Sequence, residues 1–132
     1  MDKKTRDNAT MMNGLYWWGV PTLFRCPYKP DPEGCDIALV GVPHSTGNGT
    51  TQRDQHLGPR AVRNISALGR RGHLKFGISP WEMCDIRDFG DVPLPEANNN
   101  EQCIERITEF YDVLADSGVR PVSIGGDHSI TG

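Results

Sequence analysis

Two neighbouring residues near the end of the chain, Asp127 and His128, have the side chains most able to do chemistry. A carboxylate beside an imidazole can orient or polarise that ring, as it does for many histidines that hold a metal ion. The two residues before them, Gly125 and Gly126, let the backbone approach other groups closely. Residue chemistry alone leaves two alternatives open for His128: a metal ligand, or a structural or solvent-exposed histidine, which is the more frequent case.

A second polar stretch, the loop of residues 44–57, could contact a small substrate. Candidate substrate-binding side chains lie in its first half: His44, Ser45, Thr46 and Asn48. His44 and His56 can equally be ordinary loop residues, and residues 47–49 can simply form a tight turn. The loop lacks the third glycine of G-x-G-x-x-G and the G-K-[ST] ending of a phosphate-binding loop, so a nucleotide-binding module is the least favoured interpretation.

Both stretches follow segments that the sequence predicts to be strands. Residues 37–42 form a short, continuous apolar run, as a strand buried on both faces does. Residues 121–126 are predicted to form another strand that leads into Asp127. A further strand, with imperfect alternation, is predicted over residues 83–92.

Two helices are predicted between these strands. Gly58-Pro59 opens the first, with proline in the first turn, where its missing N–H costs nothing. Asn99 is predicted to cap the second helix, which Gly118 ends. Strands that alternate with helices indicate an α/β fold with a mostly parallel sheet, in which ligands collect beyond the carboxyl ends of the strands. The loops after Val42 and Ile124 are therefore predicted to lie together at one edge of the sheet.

Four motifs, in order along the chain, carry a resemblance to a known family. They are Val20-Pro21-Thr22-Leu23-Phe24-Arg25, Gly41-Val42-Pro43 with Gly58-Pro59-Arg60-Ala61-Val62-Arg63, Asp88-Phe89-Gly90-Asp91, and Gly125-Gly126-Asp127-His128-Ser129. The chain thereby resembles the ureohydrolases, the arginase and agmatinase superfamily, and within it the agmatinase-like branch. Each motif is weak by itself, whereas four in the right order and spacing are specific.

The resemblance implies a fold, a site and an activity. The fold would be the N-terminal part of a three-layer α/β/α arginase-like fold with a mostly parallel sheet, in which residues 1–34 are an extended aromatic segment and residues 35–132 the first part of the domain. His128 would be a ligand of a centre of two divalent ions, Mn²⁺ or Ni²⁺. Asp127 would act as a hydrogen-bond acceptor next to this ligand without binding a metal ion itself. The activity would be hydrolysis of a guanidino group to urea plus ammonia or an amine.

The loop after Pro43 departs from the usual pattern of this branch. Ser45 stands where an aspartate is common, and Gln55 stands near a usual glycine, so ordinary agmatine specificity is not expected. Within the superfamily the sequence is most similar to proteins that hydrolyse guanidine or short guanidino acids, and guanidine is the leading substrate. Agmatinase proper and a non-catalytic arginase-like regulatory or assembly protein stay as alternatives.

The further metal ligands that the resemblance implies lie in D-A-H-x-D and D-x-D-x-x-D-P motifs, and neither motif occurs in this sequence. One imidazole cannot hold a catalytic metal pair. We therefore expect the chain to be the N-terminal portion of a longer enzyme and to be inactive by itself.

Composition excludes several classes of protein. The 132 residues carry a net charge of -3 and 36% are hydrophobic, which suits a globular chain and gives no electrostatic reason to expect nucleic acid or an anionic membrane as a partner. No run of 18 apolar residues and no apolar signal core occur, so a cytoplasmic protein is predicted. The four cysteines form no C-x-x-C pair and are expected to be reduced: Cys26, Cys35, Cys84 and Cys103.

The N-terminal region carries an aromatic cluster, Tyr16-Trp17-Trp18. Residues 1–14 are mostly polar and predicted to be mobile, and the four prolines from Pro21 to Pro32 favour extended chain. The cluster is too large to leave in water, so it is expected to pack on the domain or on a neighbouring subunit. The resemblance implies a homo-oligomer, a trimer or a hexamer, which raises the second alternative to equal weight.

Overall fold

Three parallel strands form the centre of the computed structural model, which describes residues 2–47, 54–69 and 71–131. They are β1 (Ile37–Val42), β2 (Ile86–Asp91) and β3 (Arg120–Gly125), in the order β2-β1-β3. The parallel register aligns Ile37 with Ile86 on one side and with Arg120 on the other. The central strand is the continuous apolar run, as expected for a strand covered on both faces.

Four α-helices accompany the strands: α1 (Lys3–Met12), α2 (Gly58–Ser66), α3 (Pro80–Met83) and α4 (Asn100–Asp116). Pro59 lies in the first turn of α2, as its missing N–H favours. At the start of α4, the Asn99 side-chain oxygen accepts a hydrogen bond from the Gln102 N–H at 3.1 Å. At its end, Gly118 adopts a φ of 72°, and the Val119 N–H donates to the Leu114 carbonyl. Both predicted helices and both predicted caps of α4 are confirmed.

The core lies on both faces of the sheet, because alternate residues of β1 point to opposite sides. On one face, Ala38, Val40 and Val42 pack with Ile107 and Leu114 of α4. On the other face, Leu39 packs with the buried Leu23 and Cys26 of the N-terminal segment, and Val62 of α2 lies against the same cluster. Helices thus cover a parallel sheet from both sides, which is the predicted three-layer α/β/α arrangement.

Two stretches differ from what the sequence indicated. Residues 3–12 form helix α1, which the Asp2 carboxylate caps by accepting from the Thr5 N–H at 2.7 Å, while the mobility of residues 1–14 stays a prediction. The strand predicted over residues 83–92 is shorter, because Met83 belongs to helix α3. Between Pro21 and Pro32 the chain is mostly irregular, with a 3₁₀ turn at Leu23–Arg25 and a single parallel bridge from Tyr28 to Asp88.

The described residues cover the aromatic cluster only in part. Tyr16 is 60% exposed, Trp17 64% and Trp18 39%, and all three line a cavity together with Asn64 and Ala67. Packing of the cluster on a neighbouring subunit stays a prediction. The four cysteines are free. Among the described residues, no helix is both long and apolar enough to cross a membrane.

One buried carboxylate joins three parts of the fold. Asp88 of β2 is 1% exposed, and its oxygens accept hydrogen bonds from the Leu23 N–H at 2.8 Å and the Gly90 N–H at 2.8 Å. Arg63 of α2 adds two more at 3.1 Å and also binds Asp91 at 2.6 Å. Burial by itself lowers the pKa of Arg63, but the hydrogen bonds and charges of Asp88 and Asp91 outweigh it and hold that pKa above its usual range. The motifs that contain Arg63 and Asp88 therefore meet in a structural ion pair.

We expect Asp88→Asn to lower the free energy of unfolding by about 2–4 kcal/mol, because it leaves the Arg63 charge partly desolvated with only Asp91 as counter-charge. Denaturant unfolding measures the change. Asp112→Asn, which alters an exposed acid on α4, is the matched control and should change stability by less than about 0.5 kcal/mol. Equal unfolding midpoints for the two variants would contradict the role of Asp88.

Candidate functional site

The two loops singled out by the sequence meet at the carboxyl edge of the sheet. The Asp127 N–H donates to the His44 carbonyl at 2.8 Å, and the Gly126 N–H donates to the Gln55 carbonyl at 3.3 Å. Gly126 has a φ of +72°, and a side chain there would collide with the carbonyl oxygens of Val42 and His44. The second glycine of the motif is therefore needed for this close approach of the two loops.

The Asp127 carboxylate fastens these loops through backbone groups. Asp127 is buried, and its Oδ2 accepts from the Gly47 N–H at 2.9 Å while its Oδ1 accepts from the Ser129 N–H at 3.0 Å. Its hydrogen bonds within the described residues thus go to the first loop and to the turn that follows His128, rather than to the His128 ring. These two hydrogen bonds hold the two loops together. Asp127 can therefore support His128 by fixing the backbone around it, and not by a contact with the His128 ring.

His128 opens a 3₁₀ turn, His128–Thr131, directly after β3, and its side chain is exposed. In the described part of the chain the ring makes no hydrogen bond, so its nitrogens are available to a ligand. Within the same residues, no group of three histidine, cysteine or acidic side chains could hold a metal ion. The described residues therefore do not by themselves form a metal centre.

His44, predicted as a substrate-contacting residue, is buried and hydrogen-bonded, and it also lines a cavity. It is 1% exposed, and its Nε2 lies 2.9 Å from the Asn100 side-chain oxygen, while its Nδ1 lies 3.2 Å from the Thr46 hydroxyl. His44 and Thr46 therefore link the first loop to the start of α4. The sequence analysis missed Asn100, although its place beside the predicted cap of α4 was a signal.

A cavity of about 240 Å³ opens beside His44. Its wall is formed by Pro43, His44, Ser45, His56, Leu94, Ala97 and Asn98. The Ser45 hydroxyl lies 3.4 Å from His56 Nδ1, which joins the loop after β1 to the 3₁₀ turn Asp54–Leu57. Asn48, the remaining predicted substrate-contacting residue, lies outside the described residues. The contribution of residues 94–98 was not predicted, because nothing in their sequence connects them to residue 44.

A larger cavity, of about 550 Å³, lies in the N-terminal region and is lined by residues that include Tyr16, Trp17, Trp18 and Arg25. None of the predicted site residues lines it. We therefore take the smaller cavity, which shares His44 and Ser45 with the predicted site, as the candidate substrate pocket.

The loop that closes this cavity is tied to α4 by an ion pair. Glu96 accepts from Arg106 at 2.8 Å and 3.2 Å, and it lies between the cavity residues Leu94 and Ala97. The hydrogen bonds from Arg106 lower the pKa of the Glu96 carboxyl below its usual value. The pair with Arg106 therefore favours the ionised form of Glu96.

The sequence model of the Arginase family matches residues 35–132. Among curated relatives, the guanidinopropionase of Pseudomonas aeruginosa is 36% identical over 113 residues, which cover 86% of this chain and 35% of that protein. The mitochondrial agmatinase of Gallus gallus is 37% identical over 113 residues, which cover 86% of this chain and 33% of that protein. The chain thus spans about a third of the length of these curated relatives.

A solved structure gives the same result at the level of the fold. Proclavaminate amidino hydrolase from Streptomyces clavuligerus superposes with a TM-score of 0.79 at 28% identity, over 88% of this chain and 38% of that chain. The predicted arginase-like α/β fold is therefore confirmed.

We expect Asp127→Ala to accelerate hydrogen exchange at the Gly47 and Ser129 amides by about tenfold or more, because each amide loses a charged acceptor. Amide exchange followed by NMR measures it. The Leu23 amide, held by Asp88, is the internal control and should keep its rate. Equal acceleration at all three amides would mean general destabilisation and would argue against a local clamp.

The Glu96 carboxyl should titrate below 4.5, the value expected without partners. Since its pKa is lower in the folded state, the contribution of Glu96 to stability is present above pH 4.5 and is lost as the pH falls through the folded pKa. Carboxyl ¹³C NMR between pH 2 and pH 6 measures the midpoint. Arg106→Gln should raise it, whereas Arg120→Gln, which alters an arginine of β3, should leave it unchanged.

Proposed function

Because the chain belongs to the arginase family, we propose that the full-length protein containing it hydrolyses a small guanidino compound to urea and ammonia or an amine. The observation that carries the proposal is the exposed His128 imidazole, which follows Asp127, the residue whose N–H binds the loop that carries His44, in a chain of this family. The relatives named guanidinopropionase and agmatinase support the guanidino class of substrate.

The reaction needs a nucleophile and a polarised guanidinium carbon. We propose that His128 is one ligand of a pair of divalent ions, Mn²⁺ or Ni²⁺, whose other ligands come from outside the described residues. Such ions, when bound, lower the pKa of water and so supply a nucleophile at neutral pH. Addition of water to the guanidinium carbon and loss of one nitrogen give urea, and the lost nitrogen leaves as ammonia when the substrate is guanidine itself.

Guanidine or a short guanidino acid is the proposed substrate. None of the described residues of the cavity wall is acidic, so these residues offer the ammonium group of agmatine no counter-charge. Ser45, at the position where an aspartate is common in the agmatinase-like branch, belongs to that wall. Agmatinase proper is the alternative substrate assignment, and comparison of urea release from guanidine, 3-guanidinopropionate and agmatine distinguishes them.

Two further proposals concern the whole protein. The exposed Tyr16, Trp17 and Trp18 are candidates for a contact between subunits of a homo-oligomer, a trimer or a hexamer. The division into an N-terminal segment, residues 1–34, and the first part of the catalytic domain, residues 35–132, is retained as a proposal, as is a cytoplasmic location.

His128→Ala in the full-length protein should remove part of the bound metal and reduce urea release by at least about a hundredfold. The reason is that loss of a metal ligand costs at least as much activity as loss of a residue that hydrogen-bonds to such a ligand. Metal content by elemental analysis and urea release measure the two effects. His73→Ala, which alters an exposed histidine of the 73–78 turn, is the matched control. Normal metal content and turnover in His128→Ala would contradict the ligand role. A wild-type protein without metal or urea release would favour the non-catalytic alternative.

A further inference from the structure

The cavity beside His44 lies next to the turn that carries His128. His44 forms part of the cavity wall, and its carbonyl accepts the hydrogen bond from the Asp127 N–H at 2.8 Å. A guanidino group held at His128 would therefore have its tail close to this cavity. The groups on the cavity wall then decide which tails are accepted.

The polar groups of the wall converge from two segments. The Ser45 hydroxyl lies 3.4 Å from His56 Nδ1. If the hydroxyl donates to Nδ1, the imidazole proton resides on Nε2. Within the described residues, Nε2 of His56 makes no hydrogen bond of its own, so it can donate to a group that enters the cavity.

The described groups on the cavity wall can accept a negative group, because the nearby Glu96 carboxylate is already paired with Arg106. Among the described residues that form the wall none is acidic, and Asn98 adds an amide. The residue after it, Asn99, caps α4, so the positive end of the dipole of this 17-residue helix borders the same wall. The apolar side chains of Pro43, Leu94 and Ala97 complete a wall suited to a short aliphatic linker.

We propose that Ser45 and His56 form the recognition point for the tail carboxylate of a short guanidino acid, an inference that rests on the proposed function. His56 Nε2–H donates to the carboxylate, and Ser45 holds the ring in the orientation and tautomer that make this possible. The pair is specificity-determining and takes no part in the hydrolysis itself. Guanidine, which has no tail, does not use it.

Two substrates of equal length test the proposal on the full-length protein. They are 3-guanidinopropionate and 1-propylguanidine, which lacks the carboxylate, with guanidine as the tail-less control. We expect the wild-type protein to prefer the acid over propylguanidine by about tenfold or more in kcat/KM, as a hydrogen bond to a charged group allows. His56→Ala should bring this ratio close to one, mainly through the KM of the acid, and leave kcat/KM for guanidine within about twofold.

Further variants separate recognition from folding. His56→Gln keeps an N–H donor and should retain part of the preference, whereas Ser45→Ala should lose most of it. Ser45→Asp places a negative charge in the cavity and should reduce activity on the acid while raising activity on agmatine. His73→Ala should behave as the wild type.

Each outcome decides one question. A wild-type protein that releases urea from guanidine but does not distinguish the acid from propylguanidine overturns this proposal and leaves the proposed function intact. An equal loss on all substrates in His56→Ala also overturns it, because it indicates a structural role. Absence of urea from every guanidino substrate removes the proposed function and this inference with it.

Discussion

The fold depends on how one buried negative charge is satisfied. Asp88 is taken out of water in the middle of β2, where an ionised carboxylate is costly unless donors surround it. Those donors come from the N-terminal segment through Leu23, from α2 through Arg63, and from β2 itself through Gly90. Because the three must converge on one group, their relative positions are fixed together, and hydrophobic packing alone would fix them less strictly.

This constraint reaches the site through helix α2. The helix begins at Gly58, where a side chain would collide with the Gly125 carbonyl, so its first residues lie against the end of β3. The turn Asp54–Leu57 immediately precedes α2 and carries His56 into the cavity wall. Holding α2 by Arg63 therefore also holds His56. At the other loop, Asp127 does the same for Gly47 and Ser129. The two buried acids therefore hold the backbone in place, while His56 and His128 remain exposed.

The sequence predicts what local patterns encode. The apolar run of β1, Pro59 at the start of α2 and the caps of α4 each depend on neighbouring residues, and all of these appear in the structure. The alternation of strands and helices correctly predicted that the loops at residues 44 and 127 meet at one edge of the sheet. What was missed depends on distant partners: the pairing of His44 with Asn100, 56 residues away, and the contribution of residues 94–98 to the cavity. The inward orientation of His44 follows from those partners, and no local pattern specifies it.

The buried carboxylates stabilise the fold, whereas neutral groups face the cavity. Asp88 and Asp127 are already surrounded by Arg63 or backbone N–H groups, so neither presents an available carboxylate to a cationic substrate. Within the described residues, the groups that face the cavity are neutral or hydrogen-bond donating. Under the proposed function, a guanidinium ion is bound chiefly by groups contributed from outside them, together with the metal site that His128 is proposed to join. The proposed recognition of the substrate tail by Ser45 and His56 implies that a change of charge at Ser45 alters specificity without altering the chemistry of hydrolysis.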